Sequence, residues 1–210
     1  MLSITKYGNF YSVMYTVTIQ KKALKDIKKA PPRIQRKFEI LVEDLETSGP
    51  VQEHWPNYSM LGKVTYHCHL GYHWVACWRH EKESIVIEVL MRVHAKTPHI
   101  DVQITGTGAD VLVEMLKKTI KDLKVSTDDE TIPVNSDPWF QQLRNSRTSG
   151  EVLWCYRDNA GITLDELSQR SGIAKSHLSE MENNKRPIGL KTAKKLAEAL
   201  GCDFHRFLIA

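Results

Sequence analysis

The sequence predicts an α+β domain over residues 1–99, a linking segment over 100–149 and an all-α domain of five helices over 150–210. Three observations lead there. Strand and helix periods early in the chain are followed by three alternating stretches separated by short turns. The acidic, turn-rich run VSTDDETIPVNSD, Val125 to Asp137, breaks that pattern. Helical periods alone recur after it, and TLDELSQRSGIAKSHLSEMENNK, Thr163 to Lys185, has the form of a helix-turn-helix.

In order, residues 1–13 show no clear period and read as an extension. Met14 to Gln20 alternates and is rich in β-formers, so the first strand is expected there. Lys21 to Ala30 is a lysine-rich helix with Ala23, Leu24 and Ile27 on its apolar side. Pro31-Pro32 ends it and starts a second, in which Ile34, Phe38, Leu41, Val42 and Leu45 recur up to Ser48-Gly49-Pro50.

Three strands over 63–70, 74–79 and 84–93 have connections short enough for an antiparallel meander. Alternation puts Val64, Tyr66, Cys68 and Leu70 on one face of the first, and Lys63, Thr65, His67 and His69 on the other. In the third, Ile85, Ile87, Val89 and Met91 oppose Val86, Glu88, Leu90 and Arg92. Packing the apolar sides on the helices leaves Lys63, His67, His69 and Arg92 on an outer basic face. The middle strand reads either way, with Trp74 and Trp78 inside or Val75 and Cys77.

Val111, Leu112, Met115, Leu116 and Ile120 suggest one amphipathic helix in the linking segment. Pro138 to Leu143 reads as a short helix whose rings, Trp139 and Phe140, need burial against a neighbouring domain.

The terminal domain opens with a helix over 151–159. Thr163 with Glu166 three residues on is a capping box, and Leu164 and Leu167 mark the apolar face of the helix it starts. Ser171-Gly172-Ile173 breaks the period, and Leu178 and Met181 restart it on a helix whose outer side carries Lys175, Ser176, His177 and Glu180. Such groups reach base edges in a major groove. A further helix over 190–200 has Gly201 where a left-handed cap is expected, and Phe204 and Phe207 mark a last short one.

Composition is that of an ordinary globular protein, 26% charged and 41% hydrophobic. Without a signal-peptide pattern or an apolar run of roughly 18 residues, a cytoplasmic protein with no membrane partner is expected. Cys68, Cys77, Cys155 and Cys202 show no CxxC spacing and read as reduced thiols. On a strand Cys68 points away from His67 and His69, so neither metal nor cofactor is expected. Residues 1–99 carry 14 basic and 9 acidic groups, and seven of the nine histidines. That balance suggests an anionic partner such as nucleic acid, and a place to look for acid–base chemistry.

Residues 150–210, in ITLDELSQRSGIAKSHLSEMENNKRP above all, resemble the Xre/phage-repressor helix-turn-helix family, the family of HigA-type antitoxins. The resemblance implies base reading by Lys175, Ser176 and His177, with Glu180 one turn on, and phosphate contacts from Thr163, Asn183, Lys185 and Arg186. Glu180 departs from the pattern: an acid accepts from cytosine N4 but repels phosphate.

Residues 1–99 resemble the RelE/HigB-type toxins of type II toxin–antitoxin systems in KKALKDIKKAPP, LGKVTYHCHL and IEVLMRVHAKTPH. That family binds messenger RNA, usually on the ribosome, and cuts it by metal-independent attack of a 2′-OH on the neighbouring phosphate. The matching positions are Lys63, His67, His69, Arg92, His94 and Lys96, with His99 where a tyrosine often stands. Such an endoribonuclease needs a base, an acid and cations for the phosphorane charge. Histidine fits the first two roles, here His94 with His67 or His69, and Lys63, Arg92 and Lys96 fit the third. A solvated basic face is the plainer alternative.

Together the resemblances imply a fused toxin–antitoxin protein. The mRNA interferase-like domain would be restrained by the C-terminal region, with Asp128-Asp129-Glu130 set against the basic face. Operator DNA would be bound by a homodimer or higher homo-oligomer for autoregulation. The other reading is a transcription regulator whose first domain has lost cleavage and serves in sensing or dimerisation.

Overall fold

The computed structural model describes residues 3–7, 10–61, 63–71, 74–82, 84–92 and 130–209. The N-terminal stretch is a hairpin, not an unpatterned extension: β1 (Ser3–Tyr7) pairs antiparallel with β2 (Phe10–Met14). Gly8-Asn9, a two-residue turn signal, is the sequence cue for it. β3 (Thr16–Gln20) runs directly into α1 (Lys21–Lys28), which buries Ala23, Leu24 and Ile27 as expected. Pro32 opens α2 (Pro32–Ser48), where the missing N–H costs no hydrogen bond.

β4 (Ser59–Met60), β5 (Thr65–Gly71), β6 (Trp74–Glu81), β7 (Ser84–Arg92) and β8 (Thr131–Pro133) join β3 in a mixed sheet of order β4-β5-β6-β7-β3-β8. β3 lies parallel to β7, and the other neighbours are antiparallel. Tyr66, Cys68 and Leu70 face the helices, and Ala76 and Trp78 join them, which settles the phase of the middle strand. Trp78 Nε1 donates to the Pro50 carbonyl at 3.0 Å, the partner a buried indole requires.

Two details of the expected outer face change. Lys63 precedes β5, in the exposed turn closed by the Leu61 amide on the Thr65 carbonyl at 2.8 Å, so it is not a strand residue. In β7 the register slips between Ile87, paired with Trp78, and Val89, paired with Cys77. That bulge at Glu88 shifts the alternation by one residue, so the period from Val86 no longer fixes the side on which Arg92 stands.

Residues 131–137 are not a free linker. β8 covers the edge of β3, with Ile132 opposite Ile19, and the edge pairing holds a strand too short to show a period of its own. Asp137 then caps α3 (Pro138–Asn145), accepting from the Phe140 amide at 3.1 Å and from Lys28 Nζ at 2.8 Å. Phe140 is fully buried edge-on against Phe38, 5.9 Å between centroids, whereas Trp139 is half-buried with Lys28 Nζ 5.6 Å from its ring centroid. The amphipathic helix expected around Val111–Ile120 lies outside the described residues, as do Asp128 and Asp129.

The terminal unit consists of α4 (Ser149–Asn159), α5 (Leu164–Ser171), α6 (Lys175–Glu182), α7 (Leu190–Leu200) and a 3-10 turn, Phe204–Phe207. α4 starts two residues before its expected position because Thr148 and Glu151 form a second capping box.

Helix α2 joins everything. Its apolar side, with Phe38, Leu41 and Leu45, faces the sheet, and the opposite side, which reads as solvent-facing, is buried too. Glu39 is 0% exposed and Asp44 2%. Glu39 meets Arg147 at 3.1 Å, Arg36 at 3.4 Å and Arg144 at 3.5 Å. Asp44 Oδ2 accepts from Trp55 Nε1 at 2.9 Å, with His54 Nε2 at 3.1 Å; Oδ1 accepts from Tyr156 Oη at 3.0 Å and from Arg206 at 2.9 Å. Glu43 pairs with Arg147 and, at 2.7 Å, with Arg206. The carboxylates of α2 thus meet arginines from α3, its following loop and the C-terminal turn, and the terminal unit is clasped to the α+β unit.

Candidate nucleic-acid interface

Polar side chains build the helix-turn-helix locally. Thr163 Oγ1 accepts from the Glu166 amide at 3.2 Å while Glu166 Oε2 accepts from the Thr163 amide at 2.6 Å, the reciprocal cap that the spacing predicts. Those hydrogen bonds hold the Glu166 carboxyl below the usual carboxylate range. Gly172 takes the left-handed conformation, φ 65°, that ends α5. Ser168 Oγ donates to the Ile173 carbonyl at 2.6 Å and Ser171 Oγ to the Leu167 carbonyl at 2.7 Å, fixing the turn.

α6 buries Leu178 and Met181 and leaves Lys175, Ser176 and His177 exposed at its N-terminal end. Lys175 Nζ lies 2.7 Å from Asp165 on α5. Thr163, Asn183, Lys185 and Arg186 are also exposed, and Asn183 Nδ2 donates back to the Ser179 carbonyl at 2.8 Å. One oxygen of the Glu180 carboxylate is already engaged. Its Oε2 takes the Arg186 Nε–H at 2.7 Å, and that bond holds the carboxyl below its ordinary value.

Two supports for this surface escape sequence reasoning. Arg157 on α4 grips the Glu182 carboxylate through Nε at 2.5 Å and a terminal nitrogen at 3.0 Å, and donates to the Ile162 carbonyl at 2.9 Å. Gly150 brings the start of α4 onto the end of α6, its amide donating to Asn184 Oδ1 at 3.1 Å. A Cβ there would lie 2.3 Å from the Met181 carbonyl oxygen, so only glycine fits.

The outer face of the sheet is less complete. His67 and His69 stand side by side on β5, 6.0 Å between ring centroids, with His67 Nδ1 3.2 Å from Ser59 Oγ. Partial burial, and then the neighbouring His67, lower the His69 pKa. Cys77, cross-strand from His67, has its thiol pushed up to about 11 by burial and by Glu88. Glu88 is held by Arg79 at 3.1 Å, so this face carries a carboxylate beside its histidines. Lys63 is exposed in the turn before β5, apart from the strand residues. Arg92 ends β7 with only its backbone described, and His94, Lys96 and His99 lie outside the described residues. Cys68 is fully buried on the opposite face from the two histidines.

Compared with known proteins, residues 156–207 match a family described as Helix-turn-helix. No curated protein and no solved structure matches the chain. The match spans the end of α4 through the last 3-10 turn, and so contains α5, α6 and the turn between them. The chain carries a DNA-binding helix-turn-helix domain of the kind used in transcription regulation. Among the described residues no helix is long and apolar enough to cross a membrane.

Proposed function

We propose that this chain is a fused toxin–antitoxin protein. Its helix-turn-helix domain reads operator DNA, as a homodimer or higher homo-oligomer on a palindromic site, while its α+β domain is a restrained, mRNA interferase-like unit. The observation that carries this reading is the clasp on α2. Arg144, Arg147, Tyr156 and Arg206 hold the α+β domain through Glu39, Glu43 and Asp44, while Lys175, Ser176 and His177 stay exposed. DNA reading and restraint can then exist in one state.

Two further features support the reading. Strand, two helices and meander follow one another as a RelE/HigB-like domain would have them. The segment between the domains contributes a strand and a helix to the α+β domain, as a neutralising element would. On this reading Lys63, His67, His69, Arg92, His94 and Lys96 serve RNA cleavage, and Thr163, Lys175, Ser176, His177, Asn183, Lys185 and Arg186 serve DNA. A specific observation favours the second reading, a transcription regulator with an inactive first domain: Arg79 is already paired with Glu81 at 2.7 Å and with Glu88 at 3.1 Å, whereas cleavage of a phosphodiester needs cations that can turn to the phosphate.

Growth of cells expressing residues 1–99 or the full chain separates the two. Arrest by the fragment and not by the whole chain is expected of the fusion. No arrest from either, with the fragment soluble and folded by circular dichroism, favours the regulator.

A further inference from the structure

We infer that Glu180 is a positioning residue that sets Arg186 against the phosphate backbone of DNA, and that it reads no base itself. The inference rests on the DNA-binding reading and assigns the acidic group on α6 beside the loop a role.

The loop after α6 is folded back onto Glu180 by three contacts. The Lys185 and Arg186 amides reach the Glu180 carbonyl at 2.8 and 3.3 Å, and Arg186 Nε donates to the Glu180 carboxylate at 2.7 Å. Asn184 turns the chain through a left-handed conformation, φ 57°, that asparagine tolerates. A guanidinium held through Nε keeps both terminal nitrogens, and their parallel N–H bonds match two phosphate oxygens. Held this way, Arg186 meets the backbone with its side chain already oriented. The charge of Glu180 is offset by the same pair, so its repulsion of phosphate is small. Reading a cytosine through Oε2 would require Glu180 to release the Arg186 side chain.

The test uses the full-length protein, the duplex it selects from a random pool, and the unselected pool, over a range of salt. Glu180→Gln and Arg186→Ala are each expected to weaken binding to both DNAs by a similar factor, roughly three- to tenfold, the scale of one charged backbone contact. The double variant binds no more weakly than Arg186→Ala, base preference is unchanged, and Arg186→Ala lowers the salt slope by about 1. Arg186→Lys keeps the charge but loses the planar fork through which Glu180 orients the terminal nitrogens, so Glu180→Gln has little further effect in that background. Tighter binding of Glu180→Gln to both DNAs would mean simple repulsion and overturns the inference. A loss confined to one C·G pair would mean direct readout, and additive losses would mean no coupling; either overturns it too. A wild-type protein that binds neither DNA overturns the DNA-binding reading as well, whereas normal wild-type binding left unaltered by Glu180→Gln overturns this inference alone.

Discussion

The Tyr156 hydroxyl donates to the Asp44 carboxylate at 3.0 Å, across a boundary 112 residues wide in sequence, and both groups are buried. This bond joins the first helix of the DNA-binding domain to the long helix of the α+β domain. Burial, and then the Asp44 charge, push the Tyr156 phenol well above its ordinary value, so it stays a donor at every physiological pH. Tyr156→Phe removes one hydrogen bond to a charged acceptor, and a loss of about 1.5–3 kcal/mol is expected. Asp44→Ala strands Trp55 Nε1 and the Tyr156 hydroxyl and leaves Arg206 with Glu43 as its one remaining carboxylate among the described residues, and a loss of about 3–5 kcal/mol is expected. Denaturant unfolding of the full chain measures both, with Asp44→Ala the more damaging.

Phe140 supplies the apolar anchor of the same clasp. Truncation to alanine empties its site against Phe38 and is expected to cost about 3–5 kcal/mol. Thermal unfolding followed by circular dichroism reads this directly, and a near-neutral result would mean that α3 is not docked.

Asp137 gives the clasp a pH signature. Burial pushes its carboxyl up, but Lys28 and the Phe140 amide outweigh that and hold it below the usual carboxylate range. A depressed folded-state pKa stabilises fully above the unfolded value near about 3.9, and the contribution is lost as pH falls through the lower folded value. Asp137→Asn keeps an acceptor for the cap but loses the charge that faces Lys28. The difference in melting temperature between wild type and Asp137→Asn is therefore expected at neutral pH and should close in strong acid.

Much of the recognition surface was legible because its signals are local. The Thr163–Glu166 capping box, Gly172 and Gly201 each fix a conformation within a few residues, and each stands where the sequence puts it. The clasp was not legible. Glu39, Glu43 and Asp44 recur on the polar side of α2 as they would on any solvated helix, and their partners, Arg147 and Arg206, lie more than a hundred residues on. Nothing in a helical period distinguishes a carboxylate facing water from one facing an arginine. The bulge at Glu88 was hidden for a related reason, since pairing with β6 decides it. Strand β8 is held by the free edge of β3 and not by a period of its own.

Gly150 tests the joint beneath the recognition helix. A methyl group at this position meets Asn184 Oδ1 and the Met181 and Glu182 carbonyls, and the two carbonyls cannot move without shifting the end of α6. Gly150→Ala is expected to lose about 1–3 kcal/mol of stability and to weaken DNA binding beyond what its melting temperature explains. Gly189→Ala, where a Cβ has open space, is the matched control.

The helix-turn-helix domain is expected to read DNA while still clasped to α2. Amide hydrogen exchange of the full chain, with and without the duplex it selects, tests this most directly. Added DNA is expected to protect residues 163–186 and to leave exchange in α2 and α4 unchanged. Faster exchange in α2 and α4 on DNA binding would show instead that the clasp opens when DNA is read.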